Sequence, residues 1–174
     1  MDLLPSLQNY YGDFALSCDG VEGLIAEPAG ATPLAGAAQR LKMIVSKKWG
    51  RHRFGIQIRG LSLEQTYRVT LWLKVMEESH ILLDLRDDEA LHYGTVIFKL
   101  PDPAVMRVTG DARAPGFEIR DDGWVRVWVD MTYSAEPGVV YAVLLDLADS
   151  PEHFGTGEVG FEFGGIEIAE APAA

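Results

Sequence analysis

Apolar and polar residues alternate with a period of two from Trp124 to Met131. One set of alternate positions holds Val125, Val127, Val129 and Met131, and the other holds Trp124, Arg126, Trp128 and Asp130. Successive side chains of an extended strand point to opposite faces, so this pattern predicts a β-strand with one face in a core. The turn signal Asp121-Asp122-Gly123 directly precedes it.

Other segments show the same alternation or a short apolar run. They are residues 41–46, 53–59, 67–75, 81–86, 95–100, 106–109, 139–147 and 159–168. Gly, Pro and Asp residues between them are typical of turns. Helix is scarce: residues 35–41 are predicted to form a helical turn or two, and residues 148–153 a short turn. Many short strands separated by turns favour an all-β antiparallel sandwich. We expect a single domain over residues 1–174, with residues 1–12 and 169–174 peripheral.

Composition narrows the classes of function. The chain has 174 residues, of which 48% are hydrophobic, so a substantial core is expected. Lys and Arg total 15 against 26 Asp and Glu, which gives a formal net charge of -11. This charge opposes binding to nucleic acid or to anionic membranes, because the long-range field repels both. Cations and neutral ligands such as sugars remain compatible with it.

Cys18 is the sole cysteine, so no disulfide within the chain can form. We interpret it as a small apolar side chain. The N-terminus lacks the basic and apolar regions of a secretory signal, and no apolar run approaches the roughly 18 residues of a membrane helix. The chain as given is predicted to be cytoplasmic with no membrane insertion. If it is part of a larger exported protein, we expect a surface or extracellular location.

Several short motifs, taken in order, resemble a known superfamily. They are Gly12-Asp13-Phe14, the strand from Tyr67 to Lys74, the segment Leu83 to Asp87, the strand Gly123 to Val127, and the closing segment Gly164 to Ile168. The order resembles the jelly-roll sandwiches of carbohydrate-binding modules and the wider galactose-binding-like superfamily. Segments 95–98 and 122–126 also resemble modules of phage tail and cell-surface proteins. The resemblance implies a jelly-roll β-sandwich.

Many modules of this superfamily hold a structural calcium ion near the N-terminus. Here Ala15 follows Phe14, and the pair Gly164-Gly165 stands where acidic residues are common. We therefore expect no cofactor, and Asp13 and Glu167 are the candidates that remain as calcium ligands.

Two faces of the predicted sandwich are candidate ligand sites. In a jelly roll the strands at 53–59, 81–86 and 139–147 share one sheet, and the resemblance implies that ligands often lie on this sheet. Its candidate ligand-binding residues are Gln57, Arg59, Asp84, Arg86 and Asp146 on the strands, with Trp49 and Tyr93 on flanking loops. Trp49 or Tyr93 would stack on a sugar ring, and the planar Arg, Asp and Gln groups would bind its hydroxyls. The alternative is a solvated face with cross-strand ion pairs.

The strands at 67–75 and 125–131 are predicted to be neighbours in the other sheet. Its outer face is the second-choice site, with Arg68, Trp72, Lys74, Arg126, Trp128 and Asp130. For Trp72 and Trp128 the alternative to ligand stacking is cover by an N-terminal segment or a loop, and Trp124 is interpreted as structural.

The sequence therefore favours a non-catalytic module that binds a glycan or oligosaccharide. Enzyme signals are weak: the four histidines are scattered without metal-ligand spacing, and no nucleophile motif is present. The alternative is a structural or assembly module that mediates homo-oligomerisation, or that docks within a larger surface, phage-like or glycosyltransferase-associated protein. Trp72 and Trp128 on one outer face motivate that alternative, since Trp is enriched at interface centres.

Overall fold

The computed structural model describes residues 10–11, 14–30, 40–87, 92–120 and 122–173. These residues form strands and turns, with no helix among them. The strands are β1 Tyr10–Tyr11, β2 Phe14–Glu22, β3 Leu24–Pro28, β4 Leu41–Val45, β5 Trp49–Arg59, β6 Gln65–Lys74, β7 Ser79–Asp87, β8 Tyr93–Leu100, β9 Ala104–Gly110, β10 Arg113–Ile119, β11 Val125–Tyr133, β12 Gly138–Leu145, β13 Glu152–Phe154 and β14 Val159–Glu170.

The strands form two antiparallel sheets. The eight-stranded sheet has the order β1-β2-β5-β12-β7-β8-β9, and β13 pairs with the first residues of β5. The six-stranded sheet has the order β10-β11-β6-β14-β4-β3. The prediction of an all-β antiparallel sandwich is therefore confirmed, and the jelly-roll connectivity remains a prediction.

Both predicted strand groupings are confirmed. β6 pairs with β11 along its length, and β12 lies between β5 and β7. All nine segments predicted as strands lie in strands whose bounds differ by a few residues. The predicted helical turn at 35–41 falls largely outside the described residues, and Leu41 begins β4. At 148–153 the prediction is only partly right, because Glu152 and His153 belong to β13.

The core lies between the sheets and is built from the predicted inward positions. Phe54, Ile56 and Ile58 of β5 are at most 1% exposed. Val127 and Val129 of β11 belong to the other sheet and are also fully buried. Because alternate residues of each strand point into the core, the remaining residues point to the two outer faces. The polar residues predicted to bind a ligand are among these.

Candidate functional site

The outer face of the eight-stranded sheet gathers most of the residues predicted to bind a ligand. Val139 of β12 lies opposite Gln57 of β5 on one side and Arg86 of β7 on the other. Arg86 in turn lies opposite Tyr93 of β8. Because directly opposed residues share a face, Gln57, Arg86 and Tyr93 form one row across the sheet.

The neighbouring row centres on Tyr141, which lies between Gly55 of β5 and Asp84 of β7. The ring packs over Gly55, where an added Cβ would lie 2.5 Å from the Tyr141 Cε1 atom. The Tyr141 hydroxyl donates a short hydrogen bond to Asp19, and the Gln57 amide donates to the same carboxylate at 3.0 Å. Burial, then the hydrogen bond to Asp19, raises the pKa of Tyr141 to about 12. The hydroxyl is therefore a proton donor throughout the neutral range.

Two guanidinium groups lie against the Tyr141 ring. The Arg53 Cζ atom is 4.5 Å from the ring centroid and the Arg86 Cζ atom is 5.1 Å from it, both within cation–π range. Each guanidinium also has a carboxylate partner: Arg53 donates to Glu22 at 2.8 Å, and Arg86 donates a short hydrogen bond to Asp84. The positive charge beside the ring is therefore balanced.

These residues form one contiguous arrangement that we call the Tyr141 cluster. Its members are Asp19, Arg53, Gln57, Asp84, Arg86 and Tyr141.

The open aromatic surface beside the Tyr141 cluster belongs to Tyr93. Its side chain is 46% exposed, while the Arg86 side chain is 35% and the Asp84 side chain 13% exposed. Arg59, which is exposed, lies two positions beyond Gln57 on the same face of β5. The face thus offers one accessible ring beside half-buried donors and acceptors of fixed orientation. This combination can bind hydroxyl groups on a flat, partly apolar ligand.

Two predicted ligand residues lie elsewhere. Trp49 is at the far end of β5, eight residues from Gln57, which at roughly 3.4 Å per residue is about 27 Å away. Its ring contacts Phe154 edge-on, with 5.1 Å between centroids. Asp146 follows the end of β12 and accepts backbone hydrogen bonds from Ala148 and Ser150. Its side chain closes a turn, so it does not join the sheet face.

The Tyr141 cluster also contains three residues that the sequence prediction missed. Tyr141 is the one aromatic residue in an apolar run, and its hydroxyl needs a hydrogen-bond partner when half-buried, which was a usable signal. Arg53 lay within a predicted strand at an outward position. Asp19 had no signal, because it lies at a β-bulge between Cys18 and Gly20 that a strict alternation does not anticipate.

The second-choice face is occupied by its own contacts. Arg68 donates two parallel hydrogen bonds to Asp130, at 2.7 and 2.9 Å. Lys74 donates to the backbone oxygen of Asp122 at 2.9 Å, and Arg126 lies 3.5 Å from Glu118. The Arg68–Asp130 and Arg126–Glu118 pairs are cross-strand ion pairs, which is the expected pattern of an ion-paired sheet surface.

Neither tryptophan of this face is an open platform. Trp72 is only 8% exposed, because its indole N–H donates to Glu167 at 2.9 Å and Arg120 packs against its ring. Trp128 is half-buried and packs over Gly116 on the neighbouring strand β10. The sequence interpretation expected an N-terminal segment or loop as the cover of these two indoles. In the structure the groups that contact them come from the same sheet and its turn. Trp124 is buried.

No metal centre can be assembled from the part of the chain that the structure describes. Groups of three or more His, Cys, Asp or Glu side chains placed to hold a metal ion are absent from that part. Asp13 lies outside the described residues. Glu167, the other candidate, is engaged by Trp72 and lies 3.3 Å from Arg126. Cys18 packs against the core, and burial raises the pKa of its thiol, which makes it a weak nucleophile.

Among the described residues, none belongs to a helix with the length and hydropathy needed to cross a membrane.

Comparison with known proteins gives no family assignment. No family model matches the sequence, and no curated protein matches it. Among solved structures, the chain is similar to the enzymatically active domain of tailspike protein 4 of bacteriophage CBA120, with a TM-score of 0.49 and 10% identity over 98% of this chain and 21% of that one. It is also similar to the arabinose-bound α-L-arabinofuranosidase MgGH51, with a TM-score of 0.44 and 12% identity over 90% of this chain and 22% of that one.

The chain spans about a fifth of the length of each of these two structures. Both TM-scores lie below 0.5 and both identities below 25%, so neither similarity carries an argument about ligand or activity.

Proposed function

We propose that this chain is a non-catalytic carbohydrate-binding module whose glycan lies on the outer face of the eight-stranded sheet. The observation that carries the proposal is the Tyr141 cluster with Tyr93 open beside it. Sugar rings combine an apolar C–H face with a rim of hydroxyls. They are bound by an aromatic ring together with planar hydrogen-bonding groups in fixed positions.

The roles follow from exposure. Tyr93 is the stacking surface, because it is the exposed ring that lies beside the Tyr141 cluster, at 46% exposure. Arg86 and Asp84 lie next to it and supply a donor and an acceptor whose orientations are set by their mutual hydrogen bond. Gln57 and Arg59 extend the polar surface towards the other edge of the sheet. The superfamily resemblance of the sequence motifs supports the same placement.

The charges of the site favour a neutral glycan. Arg53 and Arg86 are each neutralised by a neighbouring carboxylate, and Asp19 adds a third carboxylate to the same surface. A ligand rich in phosphate or sulfate would be repelled by these carboxylates and by the net charge of -11 on the whole chain. The proposal therefore includes no nucleic acid partner, no cofactor and no covalent step.

A glycan-array screen, run with calcium and again with a chelator, tests the proposal directly. We expect a set of related neutral glycans to bind in both conditions. Binding that disappears with the chelator would contradict the cofactor-free site, and a blank array in both conditions would contradict the glycan-binding function.

Variants then test the location of the site. Tyr93→Ala should weaken binding of the best array glycan by about tenfold, because stacking of an aromatic ring is lost. Phe117→Ala on β10 is the matched control, since Phe117 is a similarly exposed aromatic residue at 38% on the other sheet. Equal affinities for wild type and Tyr93→Ala would place the glycan elsewhere.

A second candidate function, self-assembly, is favoured by the exposed edges of the two sheets. β9 is one of the two edge strands of the eight-stranded sheet, and β10 is one of the two edge strands of the six-stranded sheet. Their exposed apolar side chains are Val105, Met106, Val108, Phe117 and Ile119. Unpaired strand edges with apolar side chains are common sites of strand addition between chains.

Light scattering over a concentration series tests this candidate. If it is correct, the wild-type chain is a dimer or larger oligomer, and Met106→Lys combined with Ile119→Lys shifts it towards monomer. A wild-type chain that stays monomeric at every concentration would exclude self-association by these edges.

A further inference from the structure

A cavity of about 590 Å³ lies at one end of the sandwich, away from the Tyr141 cluster. It is bounded by the β6–β7 connection, the end of β12 with its following turn, β13, and the start of β14. Its volume falls within the range of small-molecule sites, which is roughly 300–1,000 Å³.

The rim of the cavity is unusually apolar. Met76, Leu147 and Phe154 line it, and they are 72%, 71% and 70% exposed. No other large hydrophobic side chain in the described part of the chain is as exposed. Trp49, at 60%, packs against Phe154 from outside the lining. Scattered exposed apolar residues are ordinary, but the most exposed ones meeting around one concavity indicate a ligand surface.

The floor is apolar and is kept open by a glycine. Val45 and Leu144 form part of it and are 3% and 8% exposed. A Cβ added to Gly160 would lie 2.6 Å from Val45 Cγ2 and 2.8 Å from Leu144 Cδ2. A larger residue at position 160 would therefore push into the floor.

The charged residues of the lining are all acidic. Glu77, Glu78, Asp146 and Glu158 line the cavity, and no Lys or Arg does. Lys99 lies close by, but its ammonium group is bound by Glu78 at 2.8 Å. The lining of the cavity is therefore apolar and negative at once.

His153 is the remaining titratable residue of the lining. Burial, then the neighbouring His52 ring, lowers its pKa, so at neutral pH it adds no positive charge. The His52 ring is held away from the cavity by contacts to the backbone oxygens of Gly23 and His153, at 2.7 and 3.1 Å.

We propose that this cavity binds a small apolar molecule that carries a positive charge. The apolar part would leave water for the floor and the Met76, Leu147 and Phe154 rim, which is the main favourable term. The cationic group would lie near the carboxylates and over the exposed Phe154 ring. An anion of the same shape would meet four carboxylates, of which Glu78 is paired with Lys99, and no Lys or Arg in the lining. The inference does not depend on the proposed glycan site, which lies on another surface.

Tryptamine and indolepropionate form a matched pair of probes, because they share an indole group and differ in the sign of their charge. Each is titrated into the chain while amide chemical shifts are followed by two-dimensional NMR. We expect tryptamine to shift signals from residues 144–147 and 153–156 in a saturable manner, and indolepropionate to bind at least about fivefold more weakly. Equal binding of the two probes, or shifts confined to the Tyr141 cluster, would overturn the proposal.

Three variants complete the experiment. Phe154→Ala combined with Leu147→Ala removes exposed apolar surface and should weaken tryptamine binding by about tenfold or more. Glu77→Gln combined with Glu158→Gln should weaken tryptamine by about threefold and leave indolepropionate unchanged or tighter, because exposed charges act weakly. Ile119→Ala is the control, at 61% exposure on β10. An equal loss in Ile119→Ala would show non-specific hydrophobic contact and would also overturn the proposal.

Discussion

Asp130 illustrates how individual polar residues on the sheet faces are held. Its side chain is buried on β11, and both of its carboxylate oxygens accept hydrogen bonds from Arg68 on β6. A buried carboxylate without a partner is costly, since it loses hydration and gains nothing in return. The Arg68–Asp130 pair therefore stabilises the fold, and its polar groups are not available to a ligand.

Arg68→Ala should lower the free energy of unfolding by about 2 kcal/mol, because the Asp130 carboxylate then loses both of its hydrogen bonds from the guanidinium group. The double variant Arg68→Met, Asp130→Leu should recover most of the loss. Urea denaturation followed by tryptophan fluorescence measures both. If the double variant is less stable than Arg68→Ala, unpaired charge is not the cause of the loss.

His153 provides a residue-scale test of pH dependence. Its folded-state pKa lies below the usual value of 6.5 because of burial, so the unfolded chain binds the proton more readily. The contribution of His153 to stability is therefore complete above pH 6.5 and decreases as the pH falls towards the folded-state pKa. NMR titration of the ring should give a value under 6.5, and His153→Gln should flatten this part of the stability curve. A ring that titrates at or above the usual value contradicts the assigned burial.

At the scale of the strands, each outer face contains an aromatic ring lying on a glycine of the neighbouring strand. Tyr141 lies directly opposite Gly55, and Trp128 directly opposite Gly116. The absent side chain gives each ring room to lie flat on the sheet. On the eight-stranded sheet this arrangement presents the Tyr141 hydroxyl to Asp19.

Gly55→Ala should destabilise the chain by about 1–3 kcal/mol, because a Cβ there would lie 2.5 Å from the Tyr141 ring in a tightly packed central strand. The same change should weaken glycan binding by moving the ring. Gly20→Ala is the matched control, because Gly20 pairs with Gly55 and has no atom within 4 Å of an added Cβ. Thermal unfolding of both variants separates the steric effect from a general effect of replacing glycine. Equal stabilities would show that the ring moves without cost.

Strand prediction from the sequence succeeded where alternation or an apolar run was uninterrupted and failed where turn-forming residues broke the pattern. β6 and β11 follow strict alternation and were predicted. β10 contains Pro115 and Gly116, which argue against a strand, yet an edge strand tolerates both because one of its sides has no partner in the sheet. β2 contains the bulge at Asp19, which resembles a turn signal in the sequence.

For the whole molecule, the last strand is central to one sheet. β14 lies between β6 and β4 in the six-stranded sheet. Its four buried large side chains are Phe161, Phe163, Ile166 and Ile168. The strand pairs with segments distant in sequence, so neither half of the chain completes the sandwich by itself.

A chain that ends at residue 158 should therefore not fold, since the lost burial of four large side chains exceeds the usual stability of a domain, about 5–15 kcal/mol. A chain that ends at residue 171 is the control, because it keeps β14 and the hydrogen bond from Ala171 N to Thr66 O at 2.9 Å. Circular dichroism and amide NMR of the two chains show whether each of them folds. A cooperative unfolding transition in the shorter chain would show that β14 is dispensable.

The sequence by itself determined the fold class and, for strands with clear alternation, the side that faces the core. These properties follow from local alternation and turn residues, which are visible in a single stretch of chain. Alternation also placed Gln57 and Arg59 on one side of their strand, and Asp84 and Arg86 on one side of theirs. Tyr93, which was predicted on a flanking loop, begins β8 and lies opposite Arg86.

Only the tertiary structure decided which of those residues meet and what covers them. Distance along a strand separated Trp49 from its predicted partners, a bulge brought Asp19 to Tyr141, and cross-strand contacts covered Trp72. The cavity at the end of the sandwich is lined by residue 45, residues 76–79 and residues between 144 and 160, which are three regions far apart in sequence. Contacts of this kind depend on register and packing between strands, which the pattern within any one strand does not encode.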